Sequence, residues 1–178
     1  MNLPNYITLT RIILIPFFIN LMIYGYYGAA LTVFVVACVT DALDGMIARL
    51  TKSQTELGAF LDPMADKLLI VSAFLTLVLL RMLPVWLVII VVSRDVILVL
   101  GSVVIYFIGR DFKARPSIIG KAATVLQLVV VTLALALNND GTTGGFIPIL
   151  HWTTAVFTIA SGVQYVVRGI KIAGNDVQ

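Results

Sequence analysis

One cysteine, one histidine and a charged fraction of 12% leave few chemistries open to this 178-residue sequence. The lone Cys38 cannot close an intrachain disulfide, and inside an apolar run it reads as a packing residue. A single histidine, His151, cannot build a zinc centre of the usual Cys/His kind. Soluble domains carry about 25% charged residues. A chain with half that share and 60% hydrophobic residues is expected to be an integral membrane protein. Alternating strand patterns are also missing, which argues against a β-barrel. No low-complexity tract or long polar linker marks a second soluble domain, so residues 1–178 are expected to form one membrane-embedded domain. The first apolar segment lacks the small-residue cleavage site of a signal peptide and reads as a retained span.

What is present is a series of six apolar segments. They run over about 8–24, 29–49, 58–80, 84–108, 116–137 and 147–167, each near the roughly 20 residues a helix needs to cross hydrocarbon. The expected fold class is all-α: a polytopic membrane protein with six transmembrane helices in one bundle. Asn2-Leu-Pro4-Asn5 predicts a short interfacial segment at about 1–7, with Asn5 capping the first helix.

Twelve Lys and Arg against nine Asp and Glu give a net charge of +3, and the basic residues sit in loops on one side. Arg49 and Lys52, then Arg110, Lys113, Arg115 and Lys121, then Arg168 and Lys171 fall on the side of the N-terminus; Arg81 and Asp140 fall on the other. The asymmetry predicts both termini inside, in the cytoplasm, by the positive-inside rule. It explains the basic balance without nucleic acid and leaves anionic lipid or phosphate as partners.

Against this background four aspartates stand out: Asp41, Asp44, Asp62 and Asp66. Carboxylates in or near hydrocarbon are costly, and the cost points to function. Asp41 and Asp44 are three apart and Asp62 and Asp66 four apart, so each pair shares one helix face. The short connection between spans two and three makes them neighbours, and the four carboxylates are expected to converge just inside the cytoplasmic surface. Gly45, Ala48 and Gly58 add small residues that permit close helix approach or leave room for a ligand. Four carboxylates repel unless cations sit among them. Hard oxygen donors suit Mg²⁺ or Mn²⁺, and two such ions can clamp a diphosphate, with Arg49 at the mouth to neutralise a phosphate oxygen. Two blander readings are a structural ion-pair network with Arg49, Lys52 and Lys67, and an ion path in a small transporter. Transporters often carry an internal repeat of spans, and the aspartate pattern has no second copy.

The pattern Asp41-x-x-Asp44-Gly45-x-x-Ala48-Arg49, eight residues, Gly58-x-x-x-Asp62-x-x-x-Asp66 resembles the signature of the CDP-alcohol phosphatidyltransferases at every defined position. That resemblance implies a six-helix core spanning most of the chain, a homodimer, and a polar cavity open to the cytoplasm of a bacterial inner membrane. It implies that Asp41, Asp44, Asp62 and Asp66 ligate Mg²⁺ or Mn²⁺, two ions in all. Asp66 would also take the proton of the acceptor hydroxyl. Gly45, Ala48 and Gly58 would make room for the nucleotide of CDP-diacylglycerol, and Arg49 would hold phosphate.

The signature is silent on the acceptor. The opening Asn2-Leu-Pro4-Asn5-Tyr-Ile-Thr8-Leu-Thr10-Arg11 and the run Ile119-Gly120-Lys121, with Thr124 and Gln127, resemble bacterial members that use glycerol 3-phosphate. There Lys121, with Arg110 and Arg115, would hold the acceptor phosphate. Ser93-Arg94-Asp95 and the stretch from Leu150 to Thr158 resemble members that use phosphatidylglycerol instead. Arg94 is then either a structural partner of Asp95 or a residue of the acceptor cavity. Glycerol 3-phosphate is the expected acceptor and phosphatidylglycerol the alternative.

Overall fold

The computed structural model describes the backbone of residues 3–51, 56–107, 117–138 and 146–174, and side chains within 10–40, 67–101, 117–137 and 148–170. Six helices follow one another: α1 (Leu3–Ile23), α2 (Tyr27–Thr51), α3 (Glu56–Leu79), α4 (Val85–Phe107), α5 (Ile118–Asn138) and α6 (Phe146–Gly174). Among the described residues there is no strand. The all-α reading and the six segments are therefore met, with two boundaries displaced. α1 begins at Leu3, so Asn5 lies in its first turn and does not cap it. Pro4 is tolerated there because the N–H groups of a first turn have no helical partner. α6 continues about seven residues past the apolar run and carries Arg168 and Lys171 on the helix, where a tail was expected. Its 29 residues span about 43 Å, more than the roughly 30 Å of a hydrocarbon core.

The chain forms two compact units: Met1–Leu83 with Val131–Thr143, and Pro84–Val130 with Gly144–Gln178. In the first, α1 packs against both α2 and α3. Its core is Phe18 and Met22 from α1, Ala30, Phe34 and Ala37 from α2, and Leu69, Ala73, Phe74 and Leu77 from α3. Phe18 and Phe34 meet with ring centroids 5.8 Å apart. The two described turns of this unit use one device. At the end of α1, Tyr26 donates its N–H to Leu21 O (2.9 Å) and Gly25 to Met22 O (3.1 Å), with Gly25 at φ 78°. At the end of α3, Met82 donates to Leu77 O (2.8 Å) and Arg81 to Val78 O (2.9 Å), with Arg81 at φ 59°. This paired pattern satisfies the last carbonyls of a helix and needs a left-handed residue. Glycine fills that position freely after α1; Arg81 occupies it at a steric cost of about 1–2 kcal/mol.

In the second unit α4 packs along α6. Trp86 stacks on Trp152 at 4.9 Å, Arg94 reaches Ser161, and Tyr165 donates its hydroxyl to Leu98 O at 3.1 Å, where a Cβ on Gly101 would lie 2.8 Å from the Tyr165 ring. The partners rise in number together on both helices, so α4 and α6 run parallel.

Beside an apolar core of Leu87, Val88, Val91 and Ala123, this unit buries several polar residues and exposes several large apolar ones. Arg94, Asp95, Gln127, Thr154, Thr158 and Ser161 are buried, while Ile89 (60%), Leu100 (59%), Val156 (60%) and Val163 (58%) are exposed. Among the described residues one helix, over Ile118–Leu137, is both long and apolar enough to cross a membrane; shorter apolar stretches run over Ile13–Ile23, Tyr27–Thr40 and Lys67–Leu79.

Candidate functional site

The eight signature positions lie on helical backbone in the first unit, Asp41 to Arg49 in the second half of α2 and Gly58 to Asp66 in the first half of α3. Core residues on the same two helices fix their register. On α2 the buried positions 30, 34 and 37 continue at intervals of three and four to Asp41, Asp44 and Ala48. On α3 the buried positions 77, 73 and 70 lead back by one step of four to Asp66. The side chains of Asp41, Asp44, Gly45, Ala48, Arg49, Gly58, Asp62 and Asp66 lie outside the described residues, as does their convergence. Among the described residues no cluster of three or more potential metal ligands occurs.

Arg110 and Arg115 also lie outside the described residues. Arg94 and Lys121, the other two expected acceptor residues, are described, and both belong to the second unit. Arg94 is buried at 7% exposure and donates Nη1 to Asp95 Oδ1 at 2.7 Å and Nη2 to Ser161 Oγ at 2.9 Å. An arginine at that depth is sustained by charge pairing and hydrogen bonds. Its Nε is buried with no hydrogen-bond partner. The structure therefore gives Arg94 an internal partner on its own helix and another on α6.

Lys121 is exposed in the first turns of α5. Ser117 caps this helix: its Oγ accepts the N–H of Gly120 at 3.0 Å, and its carbonyl accepts the N–H of Lys121 at 3.0 Å. Thr124 returns its hydroxyl to Gly120 O at 3.1 Å. One turn deeper, Gln127 donates Nε2 to Thr158 Oγ1 at 3.3 Å, and its Oε1 is buried with no hydrogen-bond partner. Neither Ser117 nor Ser161 was among the residues expected from the sequence. A serine just after Pro116 is a recognisable cap signal, whereas nothing local marks a serine whose partner is 67 residues away.

Along α4 and α6 lies a cavity of about 400 Å³, lined by Ile89, Ile97, Ile159, Val163 and Val166, with Arg94 and Thr158 as its few polar neighbours. Such a mostly apolar wall suits hydrocarbon.

Residues 1–160 match the family model described as CDP-alcohol phosphatidyltransferase. A CDP-diacylglycerol–glycerol-3-phosphate 3-phosphatidyltransferase of Bacillus subtilis is 35% identical over 92% of this chain and 93% of its own. A protein of Mycobacterium tuberculosis described as a probable phosphatidylglycerophosphate synthase is 35% identical over 98% of this chain and 84% of its own. A human cardiolipin synthase (CMP-forming) is 33% identical over 96% of this chain but only 62% of its own. With the matched region taking in both halves of the aspartate signature, and relatives aligned nearly end to end, the chain belongs to the CDP-alcohol phosphatidyltransferase family.

Proposed function

We propose that this protein transfers the phosphatidyl group of CDP-diacylglycerol to the hydroxyl of glycerol 3-phosphate, releasing CMP and forming phosphatidylglycerophosphate. The observation that carries the reading is the complete aspartate signature, whose two halves stand on the helical backbone of α2 and α3. The acceptor follows the bacterial relatives named for glycerol 3-phosphate, which align over nearly their whole length.

The donor set fits a hard divalent cation, since carboxylate oxygens are its only ligand atoms and each pair sits at one-face helical spacing. Asp41, Asp44, Asp62 and Asp66 would hold Mg²⁺ or Mn²⁺, two ions, which would neutralise the diphosphate and polarise its phosphorus. Asp66 accepts the proton of the acceptor hydroxyl. The freed oxygen bonds to the phosphorus that carries diacylglycerol, the bond from that phosphorus to the CMP oxygen breaks, and CMP leaves with the electron pair. Gly45, Ala48 and Gly58 leave space for the nucleotide, and Arg49 holds phosphate. Lys121, with Arg110 and Arg115, receives the phosphate of the acceptor. Arg94 supports this region from within the second unit.

Membrane spanning by all six helices is part of the proposal, as are the inner membrane of a bacterium, a cytoplasmic active site and a homodimer. The buried polar and exposed large apolar residues of the second unit support immersion in lipid. The parallel run of α4 and α6 supports alternating spans, because two helices separated by one crossing must point the same way.

Four acceptors offered in parallel with CDP-diacylglycerol decide the substrate: glycerol 3-phosphate, phosphatidylglycerol, inositol phosphate and serine, with the lipid product identified by mass. Phosphatidylglycerophosphate is the expected product. Cardiolipin from phosphatidylglycerol, with glycerol 3-phosphate inert, would transfer the reading to the other branch, to which Ser93-Arg94-Asp95 bears its likeness.

A further inference from the structure

We infer that Ser161, on α6, is a positioning residue for the acceptor: with Arg94 it fixes the start of α5 at Gly120 and so sets where Lys121 stands. The inference rests on the reading of Lys121 as an acceptor-phosphate ligand.

Three polar groups, from α4, from α6 and from the residue that caps α5, gather at Gly120. A Cβ at that residue would lie 3.1 Å from Ser117 Oγ, 3.3 Å from Ser161 Oγ and 3.5 Å from Arg94 Nη2. Each is already committed. Ser117 Oγ caps α5 through the Gly120 N–H at 3.0 Å. Ser161 Oγ accepts Arg94 Nη2 at 2.9 Å, and Arg94 Nη1 is tied to Asp95 at 2.7 Å. The missing side chain at Gly120 leaves the room in which the side-chain ends of Ser161 and Arg94 reach the start of α5. Lys121 is the next residue, and its own N–H bonds Ser117 O at 3.0 Å. The backbone that carries the exposed ammonium group is thereby located by a buried contact on its other side.

A phosphate is recognised through charge-assisted hydrogen bonds that depend on placement. A misplacement of about 1 Å caused by a remote change can cost about 10²-fold in rate. The chain from Asp95 through Arg94 and Ser161 to Gly120 is therefore read as a fixed stop for the α5 start, acting on acceptor recognition and not on the nucleotide.

The test compares KM for glycerol 3-phosphate and for CDP-diacylglycerol in purified wild type, Ser161→Ala, Gly120→Ala, the double variant and Lys121→Ala. Ser161→Ala and Gly120→Ala are each expected to raise the acceptor KM about three- to tenfold, with the CDP-diacylglycerol KM within about twofold. Removing Ser161 Oγ makes room for the methyl of Gly120→Ala, so the double variant should fall short of the product of the two single effects. Ser161→Thr, which keeps the hydroxyl, should stay close to wild type. An equal rise in both KM values, accompanied by a lowered thermal midpoint, would mark Ser161 as merely structural and overturn the inference. An unchanged acceptor KM in Ser161→Ala beside a raised one in Lys121→Ala would overturn it while leaving the acceptor site intact. An unchanged acceptor KM in Lys121→Ala would remove the reading beneath, and the inference with it.

Discussion

Asp66→Asn is expected to lower kcat by about 10²–10⁴-fold, the usual contribution of a positioned general base. The amide keeps the shape of the carboxylate and one oxygen donor but cannot take the proton of the acceptor hydroxyl. Affinity for CDP-diacylglycerol should therefore survive to a large extent. Asp62→Asn, four residues earlier on the same face of α3, should behave differently, losing Mn²⁺ affinity together with turnover. Calorimetric titration of Mn²⁺ into each variant, beside steady-state turnover, separates the two roles. Equal losses of metal affinity in both variants would leave Asp66 as one ligand among four, with no distinct part in proton transfer.

The second large effect concerns Asp95. Its carboxylate holds Arg94 at 2.7 Å with both side chains buried. Removing one member of a buried pair leaves the other charge uncompensated and typically costs about 3–5 kcal/mol. Asp95→Ala is expected to destabilise the second unit by that order, seen as a lower midpoint in thermal or denaturant unfolding of the detergent-solubilised protein. Replacing both residues by leucine removes the charges together and should recover much of the loss. The coupling between the two single changes would be well above the few tenths of a kcal/mol found for independent sites. A double variant as unstable as the sum of the singles would mean that the two charges are held by separate partners.

These two predictions draw on different layers of information. The aspartate signature was legible in the sequence because its spacing is local: intervals of three and four fix a helix face without knowledge of any other helix. The structure adds that both halves stand on continuous helical backbone. The helices were legible for a related reason, because an apolar run of span length is its own signal. Their ends were less so. α6 runs on through Arg168 because a helix keeps its backbone hydrogen bonds whether or not its side chains remain apolar. α1 begins before Asn5 because Pro4 fits a first turn as readily as it fits a loop.

Arg94 and Asp95 were conspicuous in an apolar span, but the choice between a structural and an acceptor role could not be made from neighbours in sequence. The contact that bears on it, Arg94 to Ser161, crosses 67 positions. The same is true of the close approach at Gly120, which looks like any glycine near a helix start until α6 is brought beside it. Local pattern thus carries the reaction class, and tertiary contact carries the partners of Arg94 and Gly120.

The central claim is that this chain is a metal-dependent phosphatidyltransferase, and CMP release tests it most directly. Purified protein in detergent, given CDP-diacylglycerol, glycerol 3-phosphate and Mg²⁺ or Mn²⁺, should release CMP in step with formation of phosphatidylglycerophosphate. The release should stop when EDTA or omission of the acceptor is the only change, and readdition of the metal should restore it. Undiminished CMP release in chelated, metal-free buffer, or none with any alcohol acceptor in the presence of metal, would contradict the account.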